Sequence, residues 1–398
     1  MATFNSQKLK RIFAALPGDA AFAVAVSGGG DSMALLHLAL NWRGSPHGLV
    51  ALTVDHALRE NSAKEARRVR RWCDGLGVEH HTLKWRHDLI TTGIQAKARK
   101  ARYDLMSAWC AKHGIAVLLT AHTTEDQAET VAMRLKRTDS KRSLAAIWPE
   151  TKWNDLRVLR PLLNEQRVDL RTYLTGLRQA WIEDPSNENE KFERVRIRKS
   201  APPATLARKA AVAQRYVLAI EAKAKAWCAK YFTITAFGMI SFPPARFQTQ
   251  KREVADAILC RVIELAGGTP PDAARRHRFI AWLQEGTESP GQPRRTLGGA
   301  LFARRKRAVV AAREPARIDA KPVKLVAGKP VIWDGRFQVS GPAGSSIVLA
   351  SGHKLLKSND EIPALVQAGW PLVMQRGKLL ATPLAQLHPT AKITFIKK

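Results

Sequence analysis

Short apolar runs alternate with longer helix-like segments through the first half of the chain. Three of these runs are nearly continuous in hydrophobic residues, which is typical of strands buried on both faces of a parallel sheet, and a fourth, more polar segment is also strand-like. The predicted strands are residues 22–26, 49–54, 78–85 and 115–120, and the predicted helices are residues 32–42, 59–76, 94–112 and 124–135. This alternation predicts a doubly wound α/β domain, and the ligands of such a sheet bind beyond the carboxyl ends of its strands.

The second half of the chain follows a different pattern. A long Ala-rich segment with many Lys and Arg residues predicts one helix over residues 204–231, and residues 249–285 are again helical in pattern. Residues 297–313 predict a hairpin that carries the basic run 304–307, and the Val, Pro and Gly content after residue 315 predicts a small β-rich module. The predicted domains are residues 1–203, 204–315 and 316–398.

The chain is strongly basic. It has 65 Lys and Arg residues against 34 Asp and Glu residues, a formal net charge of +31. Such a charge favours binding to polyanions and predicts a nucleic-acid partner, with a solvated basic surface as the alternative. The four cysteines are scattered without metal spacing, no apolar run is long enough to span a membrane, and the N-terminus does not resemble a secretion signal. We therefore expect a cytoplasmic protein with no membrane partner, and the oligomeric state stays open, with a dimer as one alternative.

The strongest local motif is the stretch SGGGDS at residues 27–32, which follows a predicted strand and opens a predicted helix. Its glycines leave backbone N–H groups accessible to an anion, and the helix dipole adds positive potential. The expected phosphate ligands are Ser27, Gly28, Gly29, Gly30, Asp31 and Ser32, with Asp31 also a candidate for binding Mg²⁺. The motif lacks the Gly-Lys-Ser/Thr ending of a Walker A loop. A purely structural glycine turn is the alternative.

Three acidic or basic side chains follow the fourth predicted strand. His122, Asp126 and Glu129 are spaced i, i+4 and i+7, which places them on one helix face pointing at the same rim as the loop. Two carboxylates in that place suit a cationic substrate, whereas a solvated acidic helix start is the alternative. Arg99 and Arg102, at i and i+3 of an earlier helix, are either site residues or surface charges.

Several motifs in order resemble one known family. The loop at residues 27–32 resembles that of the ATP pyrophosphatases, which split ATP between the α and β phosphates. Five further stretches resemble the tRNA(Ile)-lysidine synthase branch of that family: VDHALR at 54–59, GIQAKARKARY at 93–103, TAH with DQAET at 120–130, RPLL at 160–163 and WIEDPSN at 181–187.

The resemblance implies a two-step ligation that forms a C–N bond. ATP adenylates the C2 carbonyl oxygen of the wobble cytidine of the tRNA(Ile) with a CAU anticodon, and the ε-amine of L-lysine then displaces AMP to give lysidine. On this basis we expect Asp31, Asp126, Glu129 and His122 to be catalytic. The expected contacts to lysine or ATP are Arg99, Arg102 and Asp184, and the expected tRNA contacts are Arg194, Arg196, Arg198, Arg208 and Arg215. The basic run 304–307 is another candidate surface for binding the tRNA.

The chain departs from the family pattern at four places. Residues 137–140 read RTDS where the family has Arg-Gly-Ser-Gly, and residues 194–198 lack the usual Asn. Ala57 stands at a usual glycine, and Glu125 replaces an aspartate. The alternatives are another tRNA-modifying ATP pyrophosphatase, such as a thiolation enzyme, or an RNA-binding paralogue that has lost catalysis. Small-molecule synthetases share the loop but have no need of so basic a chain.

Overall fold

The computed structural model describes most of the chain. The described residues are 4–16, 18, 20–57, 62–87, 92–138, 140–183, 203–285, 294–305, 307–351, 353 and 364–396. The chain divides into two compact units, Met1–Val217 and Leu218–Lys398. The boundary falls within one long helix, Pro203–Tyr231, which matches the helix predicted over residues 204–231. The three domains expected from the sequence remain a prediction.

A six-stranded sheet forms the centre of the first unit. Its order is β3-β2-β1-β4-β6-β5, and every neighbouring pair is parallel except β5 with β6. The strands are β1 (Phe22–Ala25), β2 (Leu49–Asp55), β3 (Glu79–Lys84), β4 (Val117–Leu119), β5 (Glu150–Trp153) and β6 (Leu156–Leu159). Each of the four predicted parallel strands is present.

Helices pack on both faces of this sheet. The helices up to residue 231 are α1 (Ser6–Ile12), α2 (Gly30–Arg43), α3 (Ser62–Gly75), α4 (Ile94–Lys112), α5 (Thr124–Leu135), α6 (Lys141–Leu144), α7 (Arg167–Gly176) and α8 (Pro203–Tyr231). Alternate residues of β1 enter different cores: Phe22 and Val24 pack with residues of α2 and α7, whereas Ala23 packs with Tyr103 and Met106 of α4. Burial of β1 on both faces explains its continuous apolar sequence and confirms the predicted doubly wound α/β domain.

The second unit is built mainly from antiparallel sheets. A five-stranded sheet has the order β7-β8-β11-β10-β9, and two smaller sheets have the orders β12-β15-β16-β17 and β13-β14-β18. The strands are β7 (Thr233–Ile234), β8 (Ile240–Phe242), β9 (Arg294–Leu297), β10 (Ala300–Arg304), β11 (Val309–Arg313), β12 (Val323–Lys324), β13 (Val331–Trp333), β14 (Phe337–Ser340), β15 (Ser346–Leu349), β16 (Pro371–Gln375), β17 (Lys378–Ala381) and β18 (Lys392–Phe395). The predicted hairpin is β10 with β11, and the predicted β-rich C-terminal module is confirmed.

Two apolar cores lie on opposite faces of the five-stranded sheet. Phe302 and Ala311 face a core shared with the helices, whereas Ala303 and Val310 face a core shared with the C-terminal strands. The helices of this unit are α9 (Pro244–Gln248), α10 (Arg252–Leu265), α11 (Ala273–Gln284) and α12 (Ala364–Gln367). The period-2 alternation along β10 and β11 therefore joins the helical and β-rich parts into one unit.

The cysteine side chains serve packing. Cys73 and Cys110 are buried, and burial raises the pKa of each thiol to about 12, which keeps them protonated and unreactive. In the portion of the chain that the structure describes, no helix combines the length and the apolar character needed to cross a membrane.

Arg304 has a structural role that the sequence did not suggest. The basic run 304–307 was expected to form an exposed RNA-binding surface, but Arg304 is only 6% exposed. Its guanidinium donates to the carbonyl oxygens of Trp282 (2.7 Å) and Glu285 (2.9 Å) at the end of α11. The expectation is wrong for Arg304, because this side chain satisfies carbonyl groups that a helix end leaves without partners.

We predict that Arg304→Met destabilises the protein by about 2–3 kcal/mol, because two largely buried carbonyls lose their donor. The expected result is a lower thermal midpoint with unchanged affinity for RNA. The matched control is Arg307→Met, which removes an exposed charge from the same turn; it should leave stability unchanged and weaken RNA binding. A variant at Arg304 that weakens RNA binding at full stability would contradict this assignment.

Candidate functional site

The SGGGDS loop connects the end of β1 to the start of α2. Gly29 is the N-cap of α2, and Gly28 has φ +88°, a left-handed conformation that favours glycine. Within the described residues, the backbone N–H groups of Gly28, Gly29 and Gly30 donate to no other group. Unpaired N–H groups at the N-terminus of a long helix form a site with affinity for anions.

Hydroxyl groups hold this loop in shape. The hydroxyl of Ser32 donates to the carbonyl oxygen of Gly29 (2.8 Å) and accepts from the backbone N–H of Ser27 (3.2 Å). The two serine Oγ atoms are also 3.2 Å apart. Both hydroxyls are therefore used within the loop in this structure, and the expected donation from Ser27 and Ser32 to phosphate remains a prediction.

A buried histidine supports the strand below the loop. The hydroxyl of Thr53 donates to the carbonyl oxygen of Val26 (2.7 Å), so it accepts the contact from Nε2 of His80 (2.8 Å) as a hydrogen bond. This assigns the ring proton to Nε2. Burial lowers the pKa of His80 to about 4, so the ring is neutral near pH 7. The residue that follows β1, Val26, is therefore held by these side chains as well as by the hydrogen bonds of the sheet.

Apolar side chains restrict the space around Gly28. A Cβ atom at this position would lie 2.7 Å from Cδ1 of Ile182 and 2.8 Å from Cγ2 of Val69. The backbone N–H of Ile182 donates to the carbonyl oxygen of Gly28 (2.9 Å), and Trp181 packs beside Gly30. The first two residues of the WIEDPSN stretch, Trp181 and Ile182, therefore support the loop. This role was not inferred from the sequence.

An arginine joins the carboxylates that face the loop. Nε of Arg167 donates to Asp31 (2.9 Å), and its terminal nitrogen donates to Asp126 (3.3 Å). The backbone N–H of Arg167 donates to both carboxylate oxygens of Glu125 (3.1 Å each). The structure thus brings Asp31 and Asp126 together, as expected, through a residue that the sequence reasoning missed.

Three helix N-termini meet at this group. Asp31 lies in the first turn of α2, Asp126 in the first turn of α5, and Arg167 is the first residue of α7. Acidic side chains are stabilised at such positions, but a cation there is disfavoured by roughly 0.3–1 kcal/mol. A basic residue at the first position of a helix therefore signals an acidic partner, but no helix was predicted from the sequence over residues 167–176.

The carboxyl group of Asp31 is harder to ionise than usual. Burial raises its pKa, Arg167 opposes the rise, and the negative charges of Asp126 and Glu125 add to it. For Arg167, burial disfavours the charged form, but Asp31 and Asp126 outweigh it and raise the pKa. The guanidinium of Arg167 therefore favours the ionised form of Asp31, against the effects of burial and of the neighbouring acids.

The start of α5 corrects one part of the sequence analysis. Thr123 is the N-cap, its hydroxyl and backbone N–H both contact Oδ2 of Asp126, and the helix begins at Thr124. His122 therefore lies before the helix, and the expectation that it shares a helix face with Asp126 and Glu129 is wrong. Nδ1 of His122 lies 3.1 Å from the hydroxyl of Thr120, and Glu129 is 2% exposed.

The carboxyl end of β2 adds a second cluster of side chains to the unit. Both Nε and a terminal nitrogen of Arg102 approach Nε2 of His56, at 3.3 and 3.2 Å. Because arginine only donates, Nε2 accepts and the ring proton lies on Nδ1. Burial, reinforced by Arg102, lowers the pKa of His56 to about 4. Arg99 is exposed on the same helix as Arg102, with its guanidinium 5.2 Å from the ring of Tyr103.

The expected RNA-binding residues divide into two groups. Arg208 and Arg215 are exposed on α8, whose opposite side buries Ala210 and Ala213. The other three, Arg194, Arg196 and Arg198, lie outside the described residues, as does Asp184, which was expected to contact lysine or ATP. The roles of all site residues remain predictions.

Comparison with known proteins places these features in a family. Residues 1–205 match the PP-loop domain family. The chain is 34% identical to the tRNA(Ile)-lysidine synthase of Ruegeria pomeroyi, over 97% of this chain and 91% of that relative. It is 34% identical to the enzyme of that name from a Bradyrhizobium species, over 79% and 95% of the two chains. The Wolbachia pipientis relative of that name is 31% identical, over 91% and 88%.

The backbone of Ala57 adopts a conformation that is unfavourable for alanine. It has φ +51°, so the alanine that replaces the family's glycine is held in the left-handed region at a cost of about 1–2 kcal/mol. We expect Ala57→Gly to stabilise the protein by up to about 1 kcal/mol, because the relief exceeds the added chain entropy.

The matched control for this prediction is Ala108→Gly at an exposed position inside α4, which should destabilise by about 1 kcal/mol. The free energy of unfolding in urea measures both. Equal destabilisation by the two changes would show that the left-handed conformation at Ala57 carries no cost.

Proposed function

Because the chain belongs to the tRNA(Ile)-lysidine synthase family, we propose that it ligates L-lysine to C2 of the wobble cytidine in the tRNA(Ile) with a CAU anticodon. The products are lysidine, AMP and pyrophosphate. The observation that carries the proposal is the juxtaposition of unpaired loop N–H groups with the pair Asp31 and Asp126. The first suits a triphosphate and the second suits a cationic amino acid.

ATP is the substrate of the PP-loop, and its phosphates fit the N–H groups of residues 28–30. Mg²⁺ is held by one or two carboxylates together with phosphate oxygens, rather than by a complete protein cage. Oδ2 of Asp31 accepts from Arg167, whereas Oδ1 has no described donor, so Asp31 fits this pattern. Among the described residues no group of three or more candidate ligands forms a metal cage. The bound metal would screen the phosphate charge.

Adenylation turns a poor leaving group into a good one. The C2 carbonyl oxygen of cytidine attacks the α-phosphorus of ATP, and pyrophosphate leaves. The site contributes by positioning: the loop fixes the phosphates, and the N-terminal dipole of α2 stabilises the negative charge that moves to pyrophosphate. Packing of Ile182 and Val69 against Gly28 keeps the loop in one conformation for this step.

The second step needs a neutral amine. An unperturbed lysine with pKa near 10.4 requires about 4.6 kcal/mol to lose its proton at pH 7. We propose that Asp126 and Glu129 orient the ammonium and that one of them accepts its proton, with His122 as an assisting base or hydrogen-bond partner. Thr123 donates to Oδ2 of Asp126, and Arg167 donates to Oδ1. We propose that Oδ1 is the atom that meets the amine. The amine then bonds to C2 and AMP leaves with the electron pair of the C–O bond.

The tRNA is bound through the excess positive charge. We propose that Arg208 and Arg215 on the exposed side of α8 contact phosphates, together with Arg194, Arg196 and Arg198. Arg99, Arg102 and Asp184 are proposed to contact ATP or lysine at the rim. The wobble base is accessible to the site because it belongs to a single-stranded loop, where leaving the stack is less costly than in a duplex.

The test is incubation of the protein with ATP, labelled lysine and two transcripts, tRNA(Ile) with a CAU anticodon and tRNA(Met). We expect label only in the first, with one AMP released for each lysine incorporated. Asp126→Asn should slow incorporation by about 10²-fold or more, the range for loss of a proton-transfer group. The matched control Asp155→Asn, an exposed residue of the β5–β6 turn, should not change the rate.

Two outcomes would contradict the proposal. Release of AMP without labelled RNA would exclude ligation of lysine. A normal rate for Asp126→Asn would remove Asp126 from the reaction.

A further inference from the structure

Arg167 occupies the place between two carboxylates that the proposed reaction needs. Its guanidinium contacts Asp31 and Asp126 at 2.9 and 3.3 Å, and all three side chains are mostly buried, at 17%, 23% and 21% exposure. If the proposed function holds, these two carboxylates must meet a substrate cation. The chain therefore supplies its own cation where the proposed reaction needs that of the substrate.

The local chain does not explain this placement. As the first residue of α7, Arg167 stands against the helix dipole, so α7 itself is disfavoured by the charge. Nor can a guanidinium act as a base, because it does not deprotonate in proteins. The remaining role is electrostatic. Asp31, Asp126 and Glu125 would form a group of like charges if Arg167 were absent.

The backbone and side chain of Arg167 are held in different ways. The backbone N–H is fixed by both oxygens of Glu125, while the guanidinium is attached only through the two ion pairs among its described contacts. The side chain can therefore leave the carboxylates while α7 stays in place. An arginine that leaves carboxylates has a suitable new partner in phosphate, which it binds with the same planar geometry.

We infer that Arg167 is a resident cation, which holds Asp31 and Asp126 in the free enzyme and yields one or both of them to a substrate-borne cation. A lysine ammonium, like the guanidinium, donates N–H groups to carboxylates, so it is the expected replacement, and Mg²⁺ is the other source of positive charge. Arg167 is thus a positioning residue that competes with a substrate.

Competition with a substrate and a purely structural role predict opposite effects on ligand affinity when Arg167 is removed. If Arg167 only supported the fold, its removal would weaken every ligand. If it competes, its removal leaves the carboxylates uncompensated, and a free cation should bind more tightly in the absence of ATP and tRNA. Because no turnover is involved, this result is independent of whether lysidine is formed.

The experiment is calorimetric titration of the full-length Arg167→Gln variant with L-lysine and, separately, with MgCl₂. Glutamine keeps a hydrogen-bond donor and removes the charge. We expect Kd for lysine at least tenfold lower than in the wild type, equivalent to about 1.4 kcal/mol. Arg167→Lys, which keeps the charge, should bind lysine as the wild type does, and the double variant Arg167→Gln/Asp126→Asn should lose the gain.

The matched control is Arg171→Gln, one turn further along α7, which removes an exposed arginine paired with Glu183. This variant should change neither the Kd for lysine nor the Kd for Mg²⁺. Tighter binding of either cation to Arg167→Gln supports the inference and identifies which cation replaces the arginine. Unchanged or weaker binding of both overturns it. If Arg167→Gln does not fold, Arg167→Met is titrated in its place under the same criteria.

Discussion

The loop from Gly28 to Asp31, where β1 leads into α2, contains both parts of the proposed nucleotide site, and its charge arrangement is the constraint on which the rest depends. The N–H groups of residues 28–30 are open to an anion, yet Asp31 lies directly beside them. A carboxylate at a helix N-terminus readily accepts from such N–H groups itself. Arg167 holds Asp31 instead, so the loop N–H groups have no partner among the residues that the structure describes. The partial positive charge of the loop N–H groups and the negative charge of Asp31 are thus kept apart, although they are adjacent in the chain.

The surrounding structure maintains this separation by packing. Gly28 is enclosed by Ile182 and Val69, and the carbonyl oxygen of Val26 is bound by Thr53, which is in turn bound by His80. None of these contacts places a polar donor in the anion site. A rigid, preorganised loop is what a reaction governed by positioning and electrostatics requires, since little reorganisation remains when charge develops.

Much of the fold follows from local sequence pattern. The strands β1, β2 and β4 appear as continuous apolar runs, and the glycines of the loop follow directly from the backbone they must adopt. The site was harder to infer. Arg167 acts on Asp31 across 136 residues of sequence, and no periodicity records such a contact. Arg304 likewise reads as part of a basic run, although its partners are carbonyls at the end of a helix about 20 residues earlier.

The position of His122 was misjudged for a local reason. Spacing alone placed it on a helix, but Thr123 and Asp126 form a capping box that fixes the helix start after it. The Thr-x-x-Asp pattern was present in the sequence and would have shown this. By contrast, the left-handed conformation of Ala57 could be expected only from the glycine that the family resemblance places there, since alanine itself carries no such signal.

The most direct test is a crystal structure of the protein with Mg²⁺ and a non-hydrolysable ATP analogue. We predict phosphate oxygens about 3 Å from the N–H groups of residues 28–30, with the carboxylate of Asp31 outside the loop. Phosphates bound elsewhere, with those N–H groups paired to Asp31 or to another protein group, would contradict the account.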